Sequence, residues 1–347
     1  MKKIITLITA CALMLCCLCA CGNAKGSTTG ETSTADVQAG KTGGPKIVTT
    51  IFPEYDWAKN LLGSNPAGAE LIMLLDNGAD LHSFQPTAED IMTISTCDLF
   101  IYVGGESDKW VDDALMGATN KDMVVIDLLD VLGDSVKEEE EVEGMEEHEH
   151  EDADEEHEHE HGDEDHEEIE YDEHVWLSLK NASALCDAIT DGLKKIDSAN
   201  ASVYDDNLKS YKEKLAALDK EYEAAVSAGT TKTLLFADRF PFRYMVDDYG
   251  LSYYAAFSGC SAESEASFET IAFLAEKTDE LGLKTILTIE GTDKRVADTV
   301  SKSTKTKDQQ ILSMDSMQSK TKAEVEGGTT YLSVMESNLE VLKQAVQ

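Results

Sequence analysis

Seven short apolar runs rich in β-branched residues punctuate the chain: Lys46 to Phe52, Glu70 to Leu75, Asp98 to Val103, Met123 to Leu128, Lys232 to Ala237, Lys284 to Ile289 and Gln310 to Met314. Runs of this length and composition predict buried strands, and they alternate with segments whose apolar residues recur at helical spacing. That rhythm predicts an α/β fold with mainly parallel sheets. One helix stands apart. Tyr204, Leu208, Tyr211, Leu215, Leu218, Tyr222 and Val226 recur at steps of four and three with no Gly or Pro between them, which predicts an amphipathic rod about 35 Å long. It falls between the first four strands and the last three, so a rigid helix is expected to join two lobes. Its stripe spans only about three heptads and carries three tyrosines, which favours packing within one chain, and hence a monomer, over a coiled-coil dimer. A last amphipathic helix, Tyr331 to Val346, is expected to close the second lobe.

Ahead of the first strand the pattern changes. Lys2 and Lys3 precede an apolar stretch from Ile4 to Leu18, too short and too early to span a membrane, which reads as an export signal over 1–20. It ends Leu18-Cys19-Ala20-Cys21-Gly22, similar to the bacterial lipobox, with Cys21 the expected site of lipidation. A Gly/Ser/Thr-rich tether follows over 21–45. The first lobe is then expected over 46–200, the linking helix over 201–228 and the second lobe over 229–347. Three cysteines lie in the body, Cys97, Cys186 and Cys260. That number does not make a disulfide framework.

Charge sharpens the picture. The 347 residues carry a formal net charge of -39, with 29 Lys and Arg against 68 Asp and Glu. Nucleic acid and anionic membrane surfaces repel such a chain, and cations are attracted to it. Residues 138–173 hold 23 of the carboxylates and no Lys or Arg. Six of the eight histidines, His148, His150, His157, His159, His161 and His166, interrupt this tract. Its composition predicts a solvated, disordered loop, and the choice of imidazole for the interruptions predicts weak, multivalent metal capture. His157 to His161 matches the HExxH protease pattern only by accident, since no apolar helix face is available there.

The other two histidines adjoin packable residues. His82 lies in a loop between the strand at 70–75 and a helix opened by Thr87 and Asp90, whose spacing predicts a capping box. In open α/β sheets that carboxyl edge receives ligands. His174 stands where the acidic tract gives way to Val175, Trp176 and Leu177, just before another helix. In the second lobe three strands end on acids, Asp238, Glu290 and Asp315, and Glu263 and Glu265 precede a helix through Phe268 and Ile271. These residues are candidates for the far side of an interlobe metal site.

Taken together, GADLHSFQPTAEDI with DLFIYVGGESDKWV, EHVWLSLKNA and ILSMDSM resemble the zinc and manganese solute-binding lipoproteins of bacterial metal ABC importers, from about Lys46 to the C-terminus. The resemblance implies two α/β lobes bridged by a long helix, and metal ligation by His82, His174 and Asp315. A His/acid-rich loop ahead of the second motif looks like the zinc-specific branch, so Zn(II), rather than Mn(II), is the expected cargo. It further implies a lipid-anchored, extracytoplasmic protein with no enzymatic activity, partnered by a permease and a cytosolic ATPase; a surface adhesin or a passive metal buffer is the alternative. One position departs from the pattern. Counting back from Tyr249 puts Arg239 where the family has its third ligand, and a guanidinium cannot coordinate a cation. Asp238, Glu265, a water or a tract histidine remain open as third and fourth donors.

Overall fold

The computed structural model describes residues 43–146, 170–261 and 265–347. In the first lobe, β1 (Lys46–Thr49), α1 (Phe52–Leu62), β2 (Glu70–Met73), α2 (Ala88–Ser95), β3 (Leu99–Tyr102), α3 (Trp110–Met116), β4 (Val124–Asp127) and α4 (Leu128–Leu132) alternate along the chain, and α5 (Leu179–Ile196) follows the acidic tract. Helix α6 (Ala201–Ala228) leads out of it. The second lobe comprises β5 (Thr233–Phe240), α7 (Arg243–Tyr249), β6 (Ser252–Ser258), α8 (Phe268–Leu281), β7 (Thr285–Ile289), α9 (Arg295–Ser303), β8 (Gln310–Met314), α10 (Lys322–Glu326) and α11 (Tyr331–Ala345).

Each lobe holds one four-stranded sheet, in the orders β2-β1-β3-β4 and β6-β5-β7-β8, and every pairing is parallel. Strands covered by helices on both faces must be apolar throughout, which is why they stand out as continuous hydrophobic runs. All seven expected runs contain a strand. The eighth, β6, was not expected: Ser252-Tyr253-Tyr254-Ala255-Ala256-Phe257-Ser258 mixes aromatic residues with two alanines and lacks a β-branched residue.

The stripe of α6 packs as its spacing requires. Tyr204, Tyr211, Leu215, Leu218, Tyr222 and Val226 are buried, against α5 and α1 of the first lobe and α11 of the second. Helix α11 does more than close its own lobe. Tyr331 at its start is wholly buried; its backbone N–H donates to Asp56 Oδ2 at 2.9 Å, its hydroxyl to the Trp176 carbonyl at 2.6 Å, and its ring meets Trp57 edge-on. One hydrophobic core therefore runs through residues of both lobes, from Ile47 to Val346. Such a shared core makes independent swinging of the lobes costly, because movement would expose apolar surface at about 25 cal/mol per Å².

The acidic tract departs from expectation at its ends. Residues 138–146 lie against the second lobe: Glu140 pairs with Arg243 and accepts from the Tyr253 hydroxyl, the Glu146 N–H reaches the Ala256 carbonyl, and Gly144 abuts Phe273. The Glu139 N–H donates to the Glu170 carbonyl and the Asp172 N–H to the Lys137 carbonyl, both at 2.9 Å, so the tract leaves and returns at one point. Acidic composition hid this, because Val142 and Met145 supply apolar anchors among the carboxylates. The six tract histidines, Cys21 and Glu263 lie outside the described residues.

Candidate metal centre

His82 sits in a single 3-10 turn, Leu81–Ser83, after β2, with Asp80 capping it by accepting the His82 N–H at 3.1 Å. The following helix opens as expected: Thr87 N–H donates to Asp90 Oδ2 at 2.7 Å and Thr87 Oγ1 accepts from the Asp90 N–H at 3.2 Å. His174 is completely buried. It is held by a stretch locked from the second lobe, where Tyr244 donates to the Asp172 carbonyl at 2.8 Å and the Trp176 indole donates to the Ser316 carbonyl at 2.8 Å. Ser178 caps α5 and donates to Asp248 of α7 at 2.6 Å. A histidine from the first lobe is thus clamped by the second.

The two rings meet. His82 Nε2 and His174 Nε2 are 3.1 Å apart. His174 Nδ1 lies 3.0 Å from Asp172 Oδ1, and a carboxylate only accepts, so Nδ1 carries the proton and Nε2 presents its lone pair. His82 Nδ1 lies 2.8 Å from Ser107 Oγ and 3.5 Å from Glu173 Oε2. Imidazoles backed by carboxylate or hydroxyl are the usual dress of metal-binding histidines. Burial, then the facing His174, pushes the His82 imidazole down to about 3 against the pull of Asp80, so it is neutral and able to donate its lone pair.

Gln318 closes the pair. Its amide nitrogen lies 2.8 Å from His82 Nε2 and 2.7 Å from His174 Nε2, while its oxygen lies 3.0 Å from Ser316 Oγ. Met317 just before it has φ 63°, a left-handed conformation costly for a side chain of its size, and is itself buried. That twist turns residue 318 back toward the first lobe. Among the described residues, the His, Cys, Asp and Glu side chains close enough together to share an ion are His82, His174 and Cys260, whose ligand atoms all lie within 4.8 Å of one another.

The expected acids stand elsewhere. Asp315 is turned to Lys320 Nζ at 2.5 Å and to the Met317 N–H at 2.9 Å. Glu290 accepts from Ser316 N–H and Oγ, both at 2.7 Å, and burial with the Asp315 charge raises its carboxyl above the ordinary range. Glu265 is largely exposed and faces Arg295 at 3.7 Å. Asp238 lines the interlobe cleft, but its oxygens accept the N–H groups of Arg239 at 2.9 Å and Ile289 at 3.1 Å. Each is held by a donor within the second lobe.

Arg239 spans the cleft. Its Nη2 donates to Asp80 Oδ2 at 2.8 Å, joining the lobes beside His82, and it overrides the effect of burial to hold the Asp80 carboxyl below its ordinary range. The cleft, about 480 Å³, is lined by Asp80, His82, Asp238 and Arg239 together with Thr292 to Val296. It gives an ion a path from solvent to the His82 side of the site.

Behind the rings lies a set of buried acids. Burial raises Glu173, whose Oε1 accepts the Ser107 N–H at 2.8 Å. Gly105, at φ 80°, makes this approach possible, since a Cβ there would lie 2.5 Å from Glu173 Oε1. Asp108 accepts the N–H groups of Val103 at 3.0 Å and Gly104 at 3.1 Å. Burial, with the charge of Glu173 adding to it, pushes its carboxyl up to about 7. A raised acid favours folding while protonated in the native state, so this contribution is present at low pH and is lost as pH climbs from the ordinary carboxylate value through 7. Asp108→Asn keeps an acceptor for both N–H groups and removes the buried charge. Urea unfolding is expected to show a gain on the order of 1–2 kcal/mol at pH 8 that shrinks toward pH 4; a gain independent of pH would locate the charge elsewhere.

Residues 47–345 match the family model described as zinc-uptake complex component A, periplasmic. The chain belongs to this family. The zinc-binding protein AdcA of Streptococcus pyogenes serotype M18 is 32% identical over 310 residues, covering 86% of this chain and 55% of the relative. The chain therefore spans about half the length of that relative. The high-affinity zinc uptake system protein ZnuA of Bacillus subtilis is 29% identical over 342 residues, covering 98% of this chain and 96% of its own. The crystal structure of the Zn(II)-bound ZnuA-like domain of Streptococcus pneumoniae AdcA superposes with a TM-score of 0.66 at 27% identity, over 88% of this chain and 99% of that domain. Two parallel-sheet α/β lobes with a long helix are the architecture of this zinc-uptake family, as the motifs in the sequence implied.

Proposed function

We propose that this chain captures Zn(II) outside the cytoplasmic membrane and delivers it to the permease of an ATP-driven importer. Two imidazoles whose Nε2 atoms face one another at 3.1 Å support this role. Where both atoms present lone pairs, they repel unless a donor or cation lies between them. Tetrahedral zinc with Zn–N near 2.0–2.1 Å sets its nitrogen donors about 3.3 Å apart, so the rings are nearly in place before the ion arrives. Imidazole donors favour Zn(II) over the harder Mn(II), which prefers six oxygens. The relatives' names, zinc-binding protein and high-affinity zinc uptake system protein, point the same way.

His82 and His174 hold the ion. The acidic tract, zipped shut at Glu139 and Glu170 next to the site, acts as a weak antenna through its six histidines. Cys21, after the apolar run that ends at Leu18, carries the lipid that keeps the protein at the membrane, and the relative in Streptococcus pneumoniae is named a zinc-binding lipoprotein. The partners are a permease and a cytosolic ATPase, and the protein acts as a monomer. Delivery needs only small shear or loop movement, because α6 and the shared core restrain wide opening. Isothermal titration with Zn(II) tests the proposal. The full chain is expected to show one tight site and several weak ones, and a variant with the six tract histidines replaced by alanine to keep the tight site alone. Absence of a tight, stoichiometric site from both proteins would overturn it.

A further inference from the structure

We propose that the Cys260 thiolate is the third protein donor to the zinc ion, in a site of two imidazoles and one sulfur. This rests on the zinc-binding role of His82 and His174 argued above. The Cys260 sulfur lies within 4.8 Å of a ring nitrogen of His82 and of a ring nitrogen of His174. Tetrahedral zinc, with Zn–S near 2.3 Å, places sulfur about 3.6 Å from each nitrogen donor, so a side-chain rotation of roughly an ångström closes the set. The backbone is built to bring this residue there. Cys260 follows the end of β6, and a Cβ on the preceding Gly259 would come within 2.9 Å of His174 Cε1 and 3.0 Å of the Phe240 carbonyl. Only glycine lets the loop pass flat against the imidazole and deliver the next side chain to its edge. The Cys260 N–H donates to Glu139 Oε1 at 3.2 Å, which ties the loop to the root of the acidic tract.

The alternatives are occupied. Arg239 is a cation committed to Asp80, Asp238 is held by two backbone N–H groups, Asp315 by Lys320, and Glu265 faces Arg295. On binding, the zinc–sulfur bond replaces the S–H bond, and the proton leaves to water; no electron is transferred. A thiolate donor turns the site toward borderline and soft ions, so Zn(II), Co(II) and Cd(II) are accepted and Mn(II) is refused.

Cobalt substitution of the full chain tests the assignment. Co(II) bound to a thiolate shows an intense near-ultraviolet sulfur-to-metal charge-transfer band, which imidazoles and carboxylates, those of the tract included, cannot produce. The band is expected in the parent chain and absent from Cys260→Ala, with Zn(II) affinity at least tenfold weaker by chelator competition. Cys260→Asp is expected to recover part of that affinity without the band. Should Cys260→Ala fold poorly, alkylation of the parent chain mapped by peptide mass spectrometry replaces it, Cys260 being protected by Zn(II) and modified without it. Tight, stoichiometric Co(II) and Zn(II) binding with no band, or a band that survives in Cys260→Ala, or equal alkylation with and without zinc, overturns the thiolate while leaving the zinc-binding role intact. Absence of tight binding from the parent chain removes both.

Discussion

His174→Ala is expected to abolish tight zinc binding, with a loss on the order of a thousandfold in affinity, about 4 kcal/mol. The substitution removes one of two preset nitrogen donors and the ring that orients the rest. His174 is wholly buried, its ring packed 5.3 Å from that of Trp176, so no other side chain can swing into its place without repacking. The backbone should survive, because Asp172 Oδ1 also accepts the His174 N–H at 2.9 Å and keeps a partner when the ring is gone. The readout is the zinc-induced rise in melting temperature together with chelator competition. A ligand at a thousand times its dissociation constant adds about 4 kcal/mol to the folded state, so a parent chain with a large thermal shift and a variant with none is the expected pair of curves. A variant that folds and still binds zinc stoichiometrically with the parent's affinity would remove His174 from the site.

The fold was legible because its strands are buried on both faces. Parallel sheets under helices write themselves as uninterrupted apolar runs, and seven of the eight strands among the described residues could be marked from that signal alone. Strand β6 escaped because two alanines and flanking serines dilute its run. The linking helix was legible from its period. Its consequence was not: Tyr331, 109 residues beyond Tyr222 in the sequence, fuses the lobes through Asp56 and Trp176, and no local pattern announces a contact of that range.

The candidate site was legible only where chemistry and punctuation coincide. His82 and His174 each precede a helix, and each is an imidazole beside packable residues; the structure brings the two together. The far wall was harder, because a carboxylate at a strand end serves equally as a ligand, a turn cap or an ion-pair partner. Asp315 draws Lys320, five residues on, and Gln318 fills the space facing the rings instead. The signal that marks Gln318 is the left-handed Met317 before it, and backbone conformation of that kind cannot be read from a methionine. Cys260 was visible only as one of three cysteines in the body, and the close approach of Gly259 before it to His174 needs the structure to be seen.

Gln318→Glu is expected to tighten zinc binding by about a hundredfold and to destabilise the metal-free protein. The amide serves two faces. Without metal its NH₂ group donates to both imidazole lone pairs and relieves their repulsion. With zinc between the rings, a half-turn about the last side-chain bond presents the amide oxygen to the ion, and the NH₂ group then faces Ser316 Oγ, an acceptor whose own proton goes to Glu290. The amide keeps a partner in both states, sharing the single Ser316 hydroxyl proton with Glu290 in the first, so glutamine lets the site wait for metal at little cost and release it readily. A glutamate loses the first state. Metal-free, its carboxylate offers the rings no donor and adds a negative charge near Glu290, whose carboxyl is already raised by burial and by Asp315. Metal-bound, it supplies an anionic oxygen in a partly desolvated site, where charge attraction exceeds that of an amide dipole. The expected signature is therefore a lower melting temperature without zinc, a larger zinc-induced rise, and slower release to a chelator. Unchanged affinity and release would mean that residue 318 never reaches the ion.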